Sequence, residues 1–352
     1  MLTGPWGVVF LLVDVGYSLM KRPGLVLWIS ILFFVSVSDV LGQVAPQLTK
    51  LKVAYSTVAV GQSLAWVTKE SGIFAQNHLD VELVFIGSST VVTQALIAGN
   101  IPIAIMSGVA AINAALAGGD SIIVGSTKNE PVLAFLVTSK DIKEPAHLKG
   151  RKLGVSRMGS SSDFLLRYIL KRVGLVPGKD VSIVQVGSSP MRVTALATGV
   201  IDGTALEIEE MMVARRMGFS VLIDISKLGI EALNSDIITT RRFTHQSRDT
   251  VRKFIKGMVD GLAFYRNNKA FSMEVISRYT KSTDREKIEL GYDHSAEFYL
   301  KKPYPTVKGI QLALEEIRDR NPAAIVAGYQ QFMDDSIVRE LDESGYIDRL
   351  YK

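Results

Sequence analysis

The chain alternates short apolar runs with longer segments in which apolar residues recur every three or four positions. The apolar runs of the first part predict β-strands at residues 51–55, 81–86, 101–106 and 131–138, with helices at 61–71, 90–98 and 109–117. The pattern then starts again, with strands at residues 152–155, 181–186 and 203–207 and helices at 161–173 and 190–198. Strands that alternate with helices of this length are typical of βαβ units. The pattern therefore predicts an α/β protein of two similar lobes with mainly parallel sheets.

One phrase is written twice, 100 residues apart. Residues 80–101 read DVELVFIGSSTVVTQALIAGNI and residues 180–201 read DVSIVQVGSSPMRVTALATGVI. A tandem repeat of short period would indicate a solenoid, whereas one recurrence at this distance indicates a pair of lobes.

After residue 237 the chain becomes helical. In residues 248–267 the apolar side chains Val251, Phe254, Ile255, Met258 and Leu262 form a stripe of helical spacing. We expect this C-terminal helical segment to pack on the first lobe.

Composition and the absence of known motifs exclude several classes of function. The chain has 352 residues, a net charge of +5 and no cysteine, which excludes disulfides, thiolate nucleophiles and cysteine-based metal sites. No basic run is longer than two residues, so nucleic-acid binding is not indicated. The four histidines lack the spacing of metal ligands, and the GxSxG, GxxxxGK[ST] and HExxH motifs are absent. We therefore expect neither a metal nor another cofactor, and a binding protein rather than an enzyme.

The first 42 residues have the organisation of a secretory signal peptide. Lys21 and Arg22 precede the apolar residues 25–37, and small residues follow near Gly42. We expect cleavage there and export to the periplasm; an uncleaved membrane anchor is the alternative. Met20 is a second possible start, which would make residues 1–19 an upstream extension.

Serines and glycines follow nearly every predicted strand. In both copies GSS stands between a strand and a helix, where serine caps a helix or where free N–H groups attract an anion. Ligands of open α/β folds lie at this carboxyl edge of the sheet. The loops after the other strands add Ser-Thr at 56–57, Ser-Gly at 107–108 and the serine-rich residues 156–162. The sequence thus predicts a cleft of hydroxyls and backbone amides.

Two segments resemble a known family. Residues 70–108 (ESGIFAQNHLDVELVFIGSSTVVTQALIAGNIPIAIMSG) are similar to the first-lobe pattern of the nitrate/sulfonate/taurine solute-binding proteins of ABC transporters, and residues 148–203 resemble their second lobe. The resemblance implies the type 2 periplasmic-binding-protein fold, with residues 50–139 and 239–352 in lobe 1 and residues 140–238 in lobe 2. Chain crossings are expected near residues 138–141 and 234–239.

The resemblance also implies a role and a site. A small solute would be captured between the lobes of a monomer and delivered to an ABC permease in the inner membrane. By position, the ligand contacts would be Ser56, Ser88, Ser89, Ser107, Gly108, Ser156, Ser160, Ser161 and Ser188.

Three further residues bear on the ligand. Arg157 is the cationic candidate in a cleft loop, and Tyr55 either stacks on the ligand or packs in the core. Glu207 stands where many members of the family have tryptophan or proline. If Glu207 pairs with Arg157 or Arg192, an anion such as a sulfonate, nitrate or carboxylate is expected. If it faces the cleft alone, a pyrimidine or amine is favoured. A ligand sensor is a further alternative to a transporter component.

Overall fold

The computed structural model describes residues 48–131 and 133–352. The predicted signal peptide, with its alternative start and its anchor alternative, lies outside these residues. Among the residues described, no helix is both long enough and apolar enough to cross a membrane.

Ten strands form two five-stranded sheets in the described part of the chain. In chain order they are β1 (Thr49–Tyr55), β2 (Leu79–Phe85), β3 (Ile103–Met106), β4 (Ser121–Ser126), β5 (Phe135–Thr138), β6 (Lys152–Val155), β7 (Ser182–Gln185), β8 (Gly203–Leu206), β9 (Ser220–Asp224) and β10 (Asp236–Thr240). The first sheet has the order β2-β1-β3-β10-β4 and the second the order β7-β6-β8-β5-β9.

Both sheets are built on the same plan. Each contains four strands that run in one direction and one antiparallel strand, which is β10 in the first sheet and β5 in the second. The prediction of two similar, mainly parallel lobes is confirmed. The antiparallel strands are the ones that follow a crossing of the chain between sheets, so their direction depends on tertiary topology rather than on local sequence.

The first crossing lies earlier than predicted. The strand Phe135–Thr138, expected in lobe 1, pairs with β8 and β9 of the second sheet. The chain therefore passes between the sheets after Ser126 and before Phe135, and not at residues 138–141. It returns between Asp224 and Asp236, which overlaps the predicted second crossing. An apolar strand fits either sheet by its pattern, so the sequence alone did not fix its partner.

Helices cover the faces of both sheets. In chain order they are α1 (Leu64–Glu70), α2 (Ile73–Gln76), α3 (Ser89–Ile97), α4 (Val109–Leu116), α5 (Ser161–Arg172), α6 (Ser189–Ala197), α7 (Ile208–Arg216), α8 (Arg241–Gln246), α9 (Arg248–Asn267), α10 (Lys269–Thr280), α11 (Arg285–Phe298), α12 (Val307–Ile317), α13 (Ala323–Val326), α14 (Ser336–Glu343) and α15 (Tyr346–Arg349). Short 3-10 helices occur at Val60–Gln62, Pro145–Leu148, Ile225–Leu228 and Tyr329–Gln331.

The C-terminal helices pack on the first lobe, as predicted. The apolar stripe of α9 is fully buried at Val251, Phe254 and Met258, and α9 packs against α1. Trp66 of α1 is buried and stacks on Tyr279 of α10, with ring centroids 5.0 Å apart. One helix departs from this arrangement, since α12 contacts α4 beside the first sheet and α5 beside the second. The lobes are therefore bridged by a helix of the C-terminal segment.

The doubled phrase folds twice into the same unit. It forms β2 and α3 in its first copy and β7 and α6 in its second, and the two helices begin at Ser89 and Ser189. The elements α7 and β9, which follow the second copy, were not predicted. Strand β9 is half-buried along its whole length, so it lacks the alternation of buried and exposed positions that would reveal a strand.

Candidate ligand-binding site

Loops at the carboxyl edges of the two sheets meet and close a cleft. The backbone N–H of Ser161 donates to Ser89 Oγ at 3.3 Å, and Asn113 Nδ2 donates to the Gly159 carbonyl at 3.2 Å. Each of these bonds joins a helix of the first lobe to the N-terminus of α5 or to the loop that precedes it. The structure is therefore a closed arrangement of the two lobes.

The cleft contains a cavity that we name the serine compartment. It has a volume of about 420 Å³, part of which is open to solvent. Gln62, Ser189, Arg192 and Asn234 contribute to its walls. Seven of the predicted site residues also line it: Ser56, Ser88, Ser89, Ser107, Ser156, Ser161 and Glu207.

Ser88 presents a polar atom without a partner to this compartment. The residue is only 8% exposed and occupies the N-cap position of α3, yet its hydroxyl makes no capping hydrogen bond. In the described part of the chain its Oγ has no hydrogen-bond partner at all. Ser188, at the equivalent position of α6, also makes no side-chain cap bond. Helix capping therefore does not account for Ser88 or for Ser188. A buried hydroxyl without a partner is unfavourable, and a ligand group in the cleft would satisfy it.

Other serines of the predicted set already have partners. Ser107 Oγ donates to the Leu233 carbonyl at 2.8 Å. Ser162 Oγ bonds Ser156 Oγ at 3.2 Å. Ser160 is fully buried, caps α5 by accepting from the Asp163 N–H and lines none of the cavities described in this section. These hydroxyls hold the loops in place, and Ser160 is a capping residue rather than a wall of the cleft.

Glu207 lies on the wall of the cleft. It is 4% exposed and accepts hydrogen bonds from Ser189 Oγ at 2.8 Å and, across the cleft, from Thr57 Oγ1 at 3.3 Å. Burial raises the pKa of the Glu207 carboxyl, and the nearby Arg192 guanidinium opposes this effect. The structure thus decides one of the questions that the sequence left open, because Glu207 faces the cleft.

Arg192 reaches Glu207 only through a serine. Its guanidinium donates to Ser189 Oγ at 2.9 Å, and Ser189 in turn donates to Glu207. The remaining bonds of the guanidinium go to Thr204 Oγ1 and to the carbonyls of Gly187 and Ala205. Arg192 is therefore used to hold the second lobe together, and no ion pair shorter than 4.0 Å joins it to Glu207 within the described residues.

Arg157 and Ser188 lie outside the serine compartment, in an outer chamber. This chamber of about 930 Å³ is bordered by Phe85, Arg157, Ser188 and Met191 and shares Ser88 and Ser156 with the serine compartment. Arg157 is exposed there. The outer chamber is therefore the mouth of the cleft.

Tyr55 and Gly108 line none of these spaces. The Tyr55 ring packs 5.8 Å from the Trp66 ring and 5.6 Å from the Phe85 ring. The Gly108 N–H donates to Asp236 Oδ2 at 2.8 Å. Tyr55 is therefore a packing residue, which was the second of its two interpretations.

A second cavity adjoins the serine compartment, and we name it the acidic compartment. It has a volume of about 600 Å³, part of which is open to solvent, and shares Gln62, Glu207 and Asn234 with the serine compartment. Its other charged or titratable wall residues are Lys128, Glu130, Glu209 and His294. These four residues were not among the site residues predicted from the sequence. The Glu-Ile-Glu-Glu run that follows β8 was a signal for Glu209, whereas Lys128, Glu130 and His294 come together only in the folded chain.

The charged groups of the acidic compartment are held in fixed positions. Lys128 is 2% exposed, and its Nζ lies 3.3 Å from Glu130 Oε1. Burial lowers the pKa of Lys128, and Glu130 and Glu209 oppose that effect. His294 Nε2 lies 3.2 Å from the same Glu130 oxygen. Glu209 Oε1 accepts from the Val60 N–H of the opposite lobe at 2.7 Å.

The fold is that of known binding proteins. The alkanesulfonate-binding protein SsuA of Xanthomonas axonopodis pv. citri, solved with MOPS bound, superposes with a TM-score of 0.67 at 16% identity over 80% of this chain and 96% of its own. The periplasmic nitrate-binding protein NrtA of Synechocystis PCC 6803 gives a TM-score of 0.67 at 14% identity over 85% and 90%. At these identities the likeness establishes the fold.

A sequence relative and a family model agree with this assignment of the fold. A protein of Bacillus subtilis (strain 168) named "Putative binding protein YtlA" is 21% identical over 263 residues, which cover 73% of this chain and 79% of that protein. Two lobes whose sheets share this strand order, each with one antiparallel strand, have the fold of the type 2 periplasmic binding proteins. The chain belongs to the NMT1/THI5-like family, whose model matches residues 64–270.

Proposed function

We propose that this protein is the extracytoplasmic solute-binding component of an ABC-type importer. It captures a small polar solute between its two lobes and delivers it to a permease in the inner membrane. The domain boundaries inferred from the two sheets, the export signal at residues 1–42 and a monomeric state are parts of this proposal.

The observation that carries the proposal is the Ser88 hydroxyl. It is buried, lacks a partner among the described residues and lines a cavity whose walls come from both lobes. Such a site gains a hydrogen bond when a solute enters, and closure of two lobes around a solute is a common mode of capture. Among the described residues, no serine of the cleft hydrogen-bonds a histidine as a serine nucleophile would, and His294 lies in the other compartment against Glu130.

Glu207 favours a solute that donates hydrogen bonds. A buried carboxylate on the wall of the cleft attracts an ammonium group or an aminopyrimidine and repels a simple anion. Arg192, the arginine on the wall of the serine compartment, already donates to four partners within its own lobe and is therefore not free to bind an anion. We therefore propose an amine or a pyrimidine as the ligand class.

An anion is the second candidate. Helices α3 and α6 begin at Ser89 and Ser189, and both serines lie on the wall of the serine compartment. The partial positive charge at a helix N-terminus favours an anion. The second helix also brings Arg192 to Glu207 through Ser189, which offsets the charge of the carboxylate.

A ligand screen tests both. The mature chain is screened by thermal shift against alkylamines, aminopyrimidines, sulfonates, nitrate and carboxylates, because a ligand that binds the folded state raises the unfolding midpoint. Calorimetry then compares the wild type with Ser88→Ala, which should lose about ten-fold in affinity, the equivalent of one hydrogen bond. Ser188→Ala, in the outer chamber, is the matched control and should lose less. Equal affinity of the wild type and Ser88→Ala would contradict this role of Ser88, and recovery of a chemically altered solute would contradict a binding function.

A further inference from the structure

Behind the outer chamber, the described residues of the cleft enclose two adjoining cavities. The serine compartment and the acidic compartment share three wall residues, Gln62, Glu207 and Asn234. Gln62 and Asn234 are themselves fixed to each other, since Gln62 Nε2 donates to Asn234 Oδ1 at 3.1 Å. These three residues lie where the two compartments meet, and Glu207 is the charged residue at that junction.

The acidic compartment has room for a small polar group such as an amine. Its volume of about 600 Å³, part of which is open to solvent, exceeds the 420 Å³ of the serine compartment. Small residues contribute to its walls, among them Ala59, Gly61 and Ala134. A Cβ atom built on Gly61 would lie 3.6 Å from Lys128 Nζ, an ordinary contact distance.

Its charges select for a cation or a hydrogen-bond donor. Three carboxylates, Glu130, Glu207 and Glu209, line it together with Lys128 and His294. Both Lys128 Nζ and His294 Nε2 lie against Glu130 Oε1, at 3.3 and 3.2 Å, so among the described residues Glu207 and Glu209 have no ion-pair partner on this wall. The nearby ring of Tyr299, 4.9 Å from Lys128 Nζ, offers the lysine a further cation–π partner. The compartment therefore has an excess of negative charge for a ligand to offset.

We propose that the solute occupies both compartments, with a second amine or other donor group in the acidic compartment. This inference rests on the proposed function and adds that the ligand is elongated and carries at least two donor groups. Its first polar group satisfies the buried Ser88 hydroxyl beside Glu207, and its second lies among Glu209, Glu130 and Lys128.

The test compares monoamines with diamines of the same chain length. Affinities for butylamine, 1,4-diaminobutane, pentylamine and 1,5-diaminopentane are measured by calorimetry on the full mature chain. We expect the diamine to bind about ten-fold or more tightly than its matched monoamine, as one additional charge-assisted hydrogen bond provides. Equal affinities would overturn the inference.

Two variants assign the gain to the acidic compartment. Ala134→Leu should fill part of its space, and Glu209→Gln removes a charge while keeping an acceptor for the Val60 N–H. Either should reduce the ratio of diamine to monoamine affinity several-fold, whereas Ala117→Leu on the exposed end of α4 should preserve the ratio. A ratio that neither variant changes would place the second group elsewhere and overturn the inference.

The outcomes separate this inference from the proposed function. If monoamines bind and Ser88→Ala weakens them, but diamines gain nothing, the proposed function stands and the two-compartment ligand is refuted. If only sulfonates bind, the binding function stands while the donor class and the two-compartment inference both fail. If no solute of the screen binds, both proposals fail together.

Discussion

Gly87 of the first GSS loop lies directly against Ser188 of the second. A Cβ atom built on Gly87 would be 3.1 Å from the Ser188 Cβ, closer than most such contacts, and 3.4 Å from the Phe85 ring. The glycine of the second copy has a different reason, because Gly187 has a φ of 127°, which disfavours a side chain. The two copies of one phrase thus face each other across the cleft, and each needs its glycine on separate grounds.

Replacing Gly87 should therefore impair closure. Gly87→Ala is expected to reduce ligand affinity about ten-fold, because the added methyl group separates the two loops, while the φ of Gly87 permits alanine. Calorimetry measures the affinity. The thermal unfolding midpoint of the ligand-free chain should change little. Ser188→Gly in the Gly87→Ala background removes the opposing Cβ and should restore affinity; failure of this rescue would mean that the loops do not meet on closure.

Glu207 should determine the charge of the preferred ligand. Glu207→Gln removes the charge and keeps one acceptor oxygen in place of the two that bind Ser189 and Thr57, so affinity for an alkylamine should fall about ten-fold or more. The stability of the ligand-free variant should change little, since removal of a buried charge offsets the loss of one hydrogen bond. Glu286→Gln on the exposed start of α11 is the control. If instead sulfonate affinity rises and amine affinity is unchanged, the second candidate ligand class is favoured.

Glu209 should slow the release of ligand. Its carboxylate accepts from the Val60 N–H of the other lobe at 2.7 Å, a charge-assisted bond that must break when the lobes open. Glu209→Ala is expected to increase the dissociation rate about ten-fold, measured by stopped-flow or surface plasmon resonance, and Glu209→Gln should show a smaller effect. Identical dissociation rates for wild type and Glu209→Ala would show that this bond is not part of the closed state in solution.

Asp236 should make stability depend on pH. It is fully buried, its Oδ2 accepts from the Gly108 N–H, and burial raises its pKa from 3.8 to about 7. Between these values the folded chain holds a proton that the unfolded chain releases, so stability falls as pH rises from about 4 to 7. The difference between the two pKa values corresponds to about 4 kcal/mol.

Asp236→Asn cannot ionise and should lose less stability over that range. Denaturant unfolding at pH 5 and pH 8 measures the difference, with Asp80→Asn on the exposed side of β2 as the control. A wild type and an Asp236→Asn variant with the same pH dependence would show that Asp236 ionises in the folded state without cost.

Local patterns decided most of the elements, though not α7 and β9, and where the hydroxyls lie along the chain. The apolar runs give the strands, and the recurrence at 100 residues gives two units that begin helices at Ser89 and Ser189. Seven predicted residues line one cavity because they all follow parallel strands, whose carboxyl ends lie at a common edge. Tyr55, Gly108 and Ser160 also lie at or after strand ends, but they have other partners. Tyr55 packs on Trp66, the Gly108 N–H donates to the buried Asp236, and Ser160 caps α5.

The sequence by itself determined two α/β lobes, their helical C-terminal segment and serine-lined strand ends, because these follow from periodicity within short windows of chain. Only the tertiary structure decided that Phe135–Thr138 joins the second sheet. It also decided that Glu207 faces the cleft and is linked to Arg192 through the Ser189 hydroxyl. Finally, it brought Lys128, Glu130 and His294 into one compartment with Glu209. These relationships join residues far apart in the chain. They depend on which surfaces pack together, and a local pattern carries no information about that choice.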